Sequence, residues 1–121
     1  MWKLFFAFVI ILSLSPKLFA AETNIGPVSI EHLTLIAVAT GGHIAGNMEV
    51  KVKGGFIIPK GFTCTDTNFL TTLKTTDPDR AMLNMLLKVQ KTSQPIQLRI
   101  TDKSALTAFP NRCSIEWVDL Q

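Results

Sequence analysis

The stretch DPDRAMLNMLLKVQKTSQPIQLRI, residues 77–100, changes periodicity partway along and so sets the fold class. Asp77 is a good N-cap, Pro78 suits the first helical position, and Asp79 complements the positive end of the helix dipole. Met82, Met85, Leu86 and Val89 recur at helical spacing, and Leu83 and Leu87 widen that apolar face. Lys88 and Lys91 stand at the C-terminal end, where cations are favoured. Pro95 cannot continue a helix and also restricts Gln94. From there the period is two: Ile96, Leu98 and Ile100 alternate with Gln97, Arg99 and Thr101, the pattern of a strand with one wet face. One helix over residues 78–91 thus leads into one strand.

Outward from that pair the chain reads as β. Residues 27–40 (PVSIEHLTLIAVAT) form one long strand whose apolar phase shifts between Ile30 and the Leu33–Leu35 pair, a sign of a bulge or bend. In residues 47–53, Met48, Val50 and Val52 face one way and Glu49, Lys51 and Lys53 the other. Phe56-Ile57-Ile58 extends this before the turn at Pro59-Lys60-Gly61. The third strand spans residues 63–74, starting near Cys64, with Phe69, Thr71 and Leu73 on one face. A loop over residues 102–112 and a last strand over 113–120, with Ile115 and Trp117 on one face, complete the order. The expectation is a mainly β fold with one helix (α+β). Its order, β-β-β-α-β-β, suggests a five-stranded OB-type barrel with the helix plugging one end. A strand meander with a packed helix, not closed into a barrel, is the alternative.

The N-terminus carries a different message. Met1-Trp2-Lys3 gives a positive start, residues 4–14 (LFFAFVIILSL) are almost wholly apolar, and Leu18-Phe19-Ala20 ends on a small residue. That is the order of a secretory signal peptide over residues 1–20, too short to span a bilayer stably. Residues 21–121 then form a single exported domain, secreted or periplasmic, with no stable membrane insertion after cleavage. Lys3 and Lys17 leave with the leader, so twelve basic residues become ten against nine acidic ones, and the net charge falls from +3 to +1. A near-neutral domain has no general electrostatic claim on nucleic acid or anionic membranes. Cys64 and Cys113, the only cysteines, are expected to form one disulfide in an oxidising compartment.

No phosphate loop, nucleophile elbow or metal motif is present, so the reading is non-catalytic, without cofactor. His32 and His43 lack a supporting Ser, Cys or carboxylate pattern, and Asp66, Asp77 and Asp79 read as loop solubility plus a helix cap. Lys51, Lys53 and Arg99 could line up as a basic stripe but read as a solvated strand face. Leu83 and Leu87, one turn apart on the margin of the helix stripe, are the candidates for self-association as a ring or dimer.

Residues 77–100, with Cys64 before and Cys113 after, resemble the receptor-binding B subunits of pentameric A/B toxins, in particular the subtilase-cytotoxin B-subunit-like group. The motifs are a cysteine opening the third strand, Gln94-Pro95-Ile96 leading the strand after the helix, a late cysteine, and a first strand following Gly26. The resemblance implies an OB-fold, one disulfide, ring assembly and recognition of a host glycan or surface protein. Where that pattern has a serine before the first-strand glycine, this chain has Ile25, and it has no tyrosine for the sugar pocket. A small accessory or inhibitor protein acting by protein–protein contact is the other function considered. Mass spectrometry of exported protein should find the N-terminus at Ala21 or one residue to either side; retention of residues 1–14 would contradict the leader.

Overall fold

A computed structural model describes residues 21–120; the leader expected over residues 1–20 lies outside the described residues. The described residues are mostly β with one α-helix. The strands are β1 (Glu22–Val28), β2 (Ile30–Leu35), β3 (Met48–Val52), β4 (Phe69–Thr72), β5 (Ile96–Thr101) and β6 (Cys113–Asp119), and the helix, α1 (Ala81–Thr92), comes between β4 and β5 in the sequence. They form one sheet in the order β1-β5-β6-β4-β3-β2, antiparallel throughout except for the parallel β4–β6 pair.

Six strands stand where five were expected because the first is divided at Ser29. β1 leaves its ladder with β5 between Ile25 and Val28, and β2 slips against β3 between Ile30 and His32. The phase shift read in the sequence is therefore a real bend. It sends β1 to one side of the sheet order and β2 to the other, with the Lys53 N–H donating to Ser29 O (2.9 Å) at the corner. Gly26 is required where β1 departs: its φ is +142°, and a Cβ there would lie 2.8 Å from the Ile96 carbonyl oxygen. The strand starts earlier than the sequence suggested, at Glu22, and β2 ends at Leu35, leaving residues 36–47 as a loop.

One register row passes through every strand: Glu22, Thr101, Ser114, Thr71, Glu49 and Thr34 are successive cross-strand partners. It leaves from β1 and returns to the same chain in β2. On the inner side, Ile25, Ile30, Met48, Val50, Val52, Leu70, Ile96, Leu98, Ile100 and Ile115 are buried in one core. These are the alternate residues of each strand, as a one-side-wet pattern demands. α1 adds Leu86 and Val89, and Met82 and Leu83 pack partly against the same cluster.

The helix begins three residues later than expected. Asp77 to Arg80 close a turn, with the Arg80 N–H donating to Asp77 O (3.1 Å), and Arg80 is the left-handed N-cap residue. Asp77 still caps the helix from outside: its buried carboxylate accepts from the Met82 and Leu83 N–H groups (3.0 and 3.1 Å), two of the donors a helix start leaves unpaired. The third expected strand is also shorter, since residues 63–68 are loop and only β4 pairs.

Leu86 is fully buried between α1 and the sheet. Leu86→Ala is expected to lower unfolding stability by about 2–5 kcal/mol in urea titrations, and a loss under about 0.5 kcal/mol would mean the face is not core.

Candidate functional site

Two polar clusters occupy the outer side of the sheet, one on each side of the β4–β6 pair. The first is built on β1, β5 and β6. Between Arg99 and Ile100 the β5–β6 register shifts, so Arg99 pairs with Trp117 while Ile100 pairs with Ile115, and Glu116 is the extra residue of a bulge. Simple alternation put Ile115 and Trp117 on one face. The bulge separates them: Ile115 stays in the core and Trp117 turns outward, 49% exposed.

There Trp117 lies in a cross-strand row with Arg99 and Asn24. The Arg99 guanidinium sits 4.6 Å from the indole centroid, a cation–π contact. Glu22 Oε1 is 3.4 Å from Arg99 Nη2, and Glu116 Oε1 is 3.8 Å from Arg99 Nε. Lys103 Nζ reaches both acids, at 3.4 and 3.7 Å. The two carboxylates share this site unequally. Burial, then the hydrogen bond with Glu22, pushes the Glu116 carboxyl above its ordinary value; that same bond, then Lys103, holds Glu22 below it. From Asn24 the surface continues into an open groove of about 500 Å³, lined by Gly26, Pro27, Phe56, Ile57 and Pro59 among others. Ile57 is the most exposed large apolar side chain here, at 88%.

The second cluster centres on Arg112, just before β6. Its guanidinium lies between two rings, 4.4 Å from the Phe69 centroid and 4.3 Å from that of Phe109. Nη1 donates to Glu49 (3.0 Å) and Nε to Asp66 (3.2 Å). His43 stacks on Phe109 (4.3 Å) with Nε2 3.3 Å from the same Glu49 oxygen. Burial pushes the Asp66 carboxyl up, but the Asn68 and Phe69 N–H groups and Arg112 outweigh it and hold the group below its ordinary value. Every charge in this cluster is spent on a neighbour within it. It joins β3, the start of β4 and the start of β6, and offers a ligand little.

Cys64 and Cys113 form a disulfide, as expected. His32 is exposed on β2 beside no acid–base cluster, whereas His43 joins the Arg112 cluster. Lys51, Lys53 and Arg99 make no stripe, because Lys51 pairs with Glu31 (3.0 Å) on β2 and Arg99 lies across the sheet on β5. The three aspartates also separate: Asp66 bonds Arg112, Asp77 caps α1 and Asp79 is exposed. Leu83 is half-buried against the core and Leu87 is exposed, so the row proposed for self-association presents only Leu87 fully. Among the described residues, no helix is long and apolar enough to cross a membrane.

Sequence reasoning missed the outward Trp117 and the rings around Arg112. The signal for Trp117 was present: in Ile115-Glu116-Trp117-Val118-Asp119 a strict alternation would bury Trp117 with Ile115 but leave Val118 outside. Val118 instead packs against the core, which an extra residue at Glu116 explains. No family model matches the chain, and no curated protein or solved structure matches it either.

The raised Glu116 makes a pH prediction. A carboxyl that holds its proton more tightly when folded adds stability below its unfolded value, and that stability is lost as pH rises through the folded value. Glu22, shifted the other way, adds stability above its unfolded value and loses it as pH falls through its folded value. Glu116→Gln keeps the neutral form at every pH. It should raise the melting temperature at pH 7 relative to wild type and leave it unchanged near pH 3. An equal shift at both pH values would show that Glu116 ionisation is not the cause.

Proposed function

We propose that this chain is an exported, non-catalytic binding module that takes an oligosaccharide on the outer face of β1, β5 and β6. The observation that carries the reading is Trp117, half-exposed on a rigid strand in one row with Arg99 and Asn24. An indole offers a flat apolar surface for the C–H face of a sugar ring. Arg99, Asn24, Glu22 and Glu116 surround it with donors and acceptors suited to hydroxyl groups. The groove beyond Asn24 gives a longer saccharide room to continue. Such a site follows the general form of a small-ligand site, an apolar platform with a few polar groups that fix orientation.

The same proposal reads the sheet as an OB-type barrel closed through the bend at Ser29. What supports closure is the order β1-β5-β6-β4-β3-β2, whose two outermost members are one continuous stretch of chain, and the register row that leaves at Glu22 and returns at Thr34. With the disulfide, this agrees with the likeness to toxin B subunits; Ile25 and the lack of tyrosine depart from that pattern, and in this reading Trp117 takes the sugar contact. The disulfide also fits an extracytoplasmic location. Assembly with copies of itself belongs to this reading through Leu87.

A glycan array followed by titration tests it. The wild type should bind a defined set of saccharides, and Trp117→Ala should weaken that binding roughly tenfold or more, as expected for a central aromatic contact. Saccharide binding that survives Trp117→Ala would move the site elsewhere. Silence on the array together with a stable protein partner in pull-down would favour the accessory-protein reading.

A further inference from the structure

β1 presents an open strand edge. It stands at one end of the sheet order and pairs only with β5. The hydrogen-bond phase of that ladder is set at its start, where Ala21 O accepts from the Asp102 N–H (3.2 Å). Bonded positions alternate along an antiparallel pair, so Thr23 and Ile25 turn their main-chain groups to Ile100 and Leu98. Glu22 and Asn24 turn theirs the other way, two residues and so about 7 Å apart. Among the described residues, no hydrogen bond reaches the Glu22 or Asn24 main chain on that side. Proteins normally guard such an edge with charge, proline or a bulge. Here Glu22 and Pro27 stand at its two ends, and Thr23-Asn24-Ile25-Gly26 between them carries no charge.

The edge forms one side of the groove of about 500 Å³, and Gly55, Phe56, Ile57 and Pro59 form the other. The two sides meet at the corner, where the Lys53 N–H donates to Ser29 O. The far side is held in place: the Phe56 N–H donates to Thr67 O (2.8 Å), and Phe56 and Ile58 pack against the core. Ile57 between them is left in the open. Main-chain donors and acceptors at strand spacing, facing an apolar side chain across a groove, match an added strand. A groove bounded on both sides admits a single extended chain. A second copy of the domain would have to bring in β1 with β5 already bonded behind it, so it is not the occupant.

We propose that the free edge of β1 takes an extended peptide segment as an added strand, lying between β1 and Ile57. The peptide main chain bonds Glu22 and Asn24, and alternate side chains lie against Ile57 and Pro59. A segment of about five residues matches the open run, and Pro27, which has no N–H, ends it. This partner is additional to the saccharide, whose contacts lie on the Trp117 row. A peptide in the groove and a saccharide continuing past Asn24 would exclude one another.

Random peptides displayed on phage, selected on the exported protein and then synthesised, test the proposal. A selected peptide should lose affinity roughly tenfold or more when single amides are N-methylated at alternate positions, and little at the positions between. Only every second amide of an added strand faces β1. Ile57→Asp should weaken binding by a similar factor, and because Ile57 is 88% exposed an unchanged melting temperature will confirm that the variant is folded. In amide exchange the bound peptide should slow Asn24, whose N–H faces the groove. Failure to select any peptide, or N-methylation that acts without alternation, would overturn the proposal. So would peptide binding that leaves Asn24 exchange unchanged and survives Ile57→Asp. A saccharide that protects Asn24 while no peptide binds would also overturn it, and would assign the groove to the saccharide alone.

Discussion

The architecture depends on the joint between β4 and β6. The sheet order divides there into two antiparallel groups, β1-β5-β6 and β4-β3-β2, each internally well paired. Among the described residues the joint is the only parallel pairing, and it has just two register pairs, Leu70 with Cys113 and Thr71 with Ser114. Parallel pairing is somewhat weaker per residue than antiparallel, and two pairs make a short ladder. The Cys64–Cys113 disulfide sits at its start. The Thr65 and Asp66 N–H groups both donate to Asn111 O (2.8 Å each), and Arg112 bonds Asp66 across the same gap. The strongest local interactions are thus concentrated where the sheet is weakest.

The two outer clusters divide their work accordingly. Arg112, held between Phe69 and Phe109 and bonded to Glu49 and Asp66, ties β3, the approach to β4 and the approach to β6 together. Its charge and its rings are consumed in doing so. On the other group of strands, Arg99 meets two acids that compete for one proton, and Trp117 is left half open. The rings beside Arg112 are covered within their own cluster, whereas the Trp117 ring beside Arg99 stays half open. The proposed binding site is placed on Trp117 rather than on the Arg112 cluster because the indole is half open.

Much of the architecture was legible in the sequence. The single helix, β5 from Ile96 to Thr101, β3 with its Met48–Val50–Val52 inner face and the disulfide all follow from local periodicity or cysteine count, and burial supports each. Even the bend near Ser29 was signalled by a change of phase. The misses share a cause: each depends on a partner distant in the chain. Arg80, not Asp77, takes the N-cap position, and its guanidinium donates to Gly46 O, 34 residues away. Trp117 faces outward only because β6 gains one residue against β5 at Glu116. Phe69 lies on the outer face under Arg112, since Leu70 takes the inner position of β4. Periodicity assigns a face once the register is known, and a bulge is a register event.

Urea unfolding of the double variant Cys64→Ser/Cys113→Ser, followed by circular dichroism against the oxidised wild type, tests the role of the joint most directly. The bridge spans 49 residues of sequence, and a closed loop of that size corresponds to roughly 4 kcal/mol on the chain-entropy account. If the β4–β6 joint is where the two groups of strands are held together, the variant will lose about that much stability or fail to fold. Stability within about 0.5 kcal/mol of the wild type, the scale of an ordinary surface substitution, would contradict it.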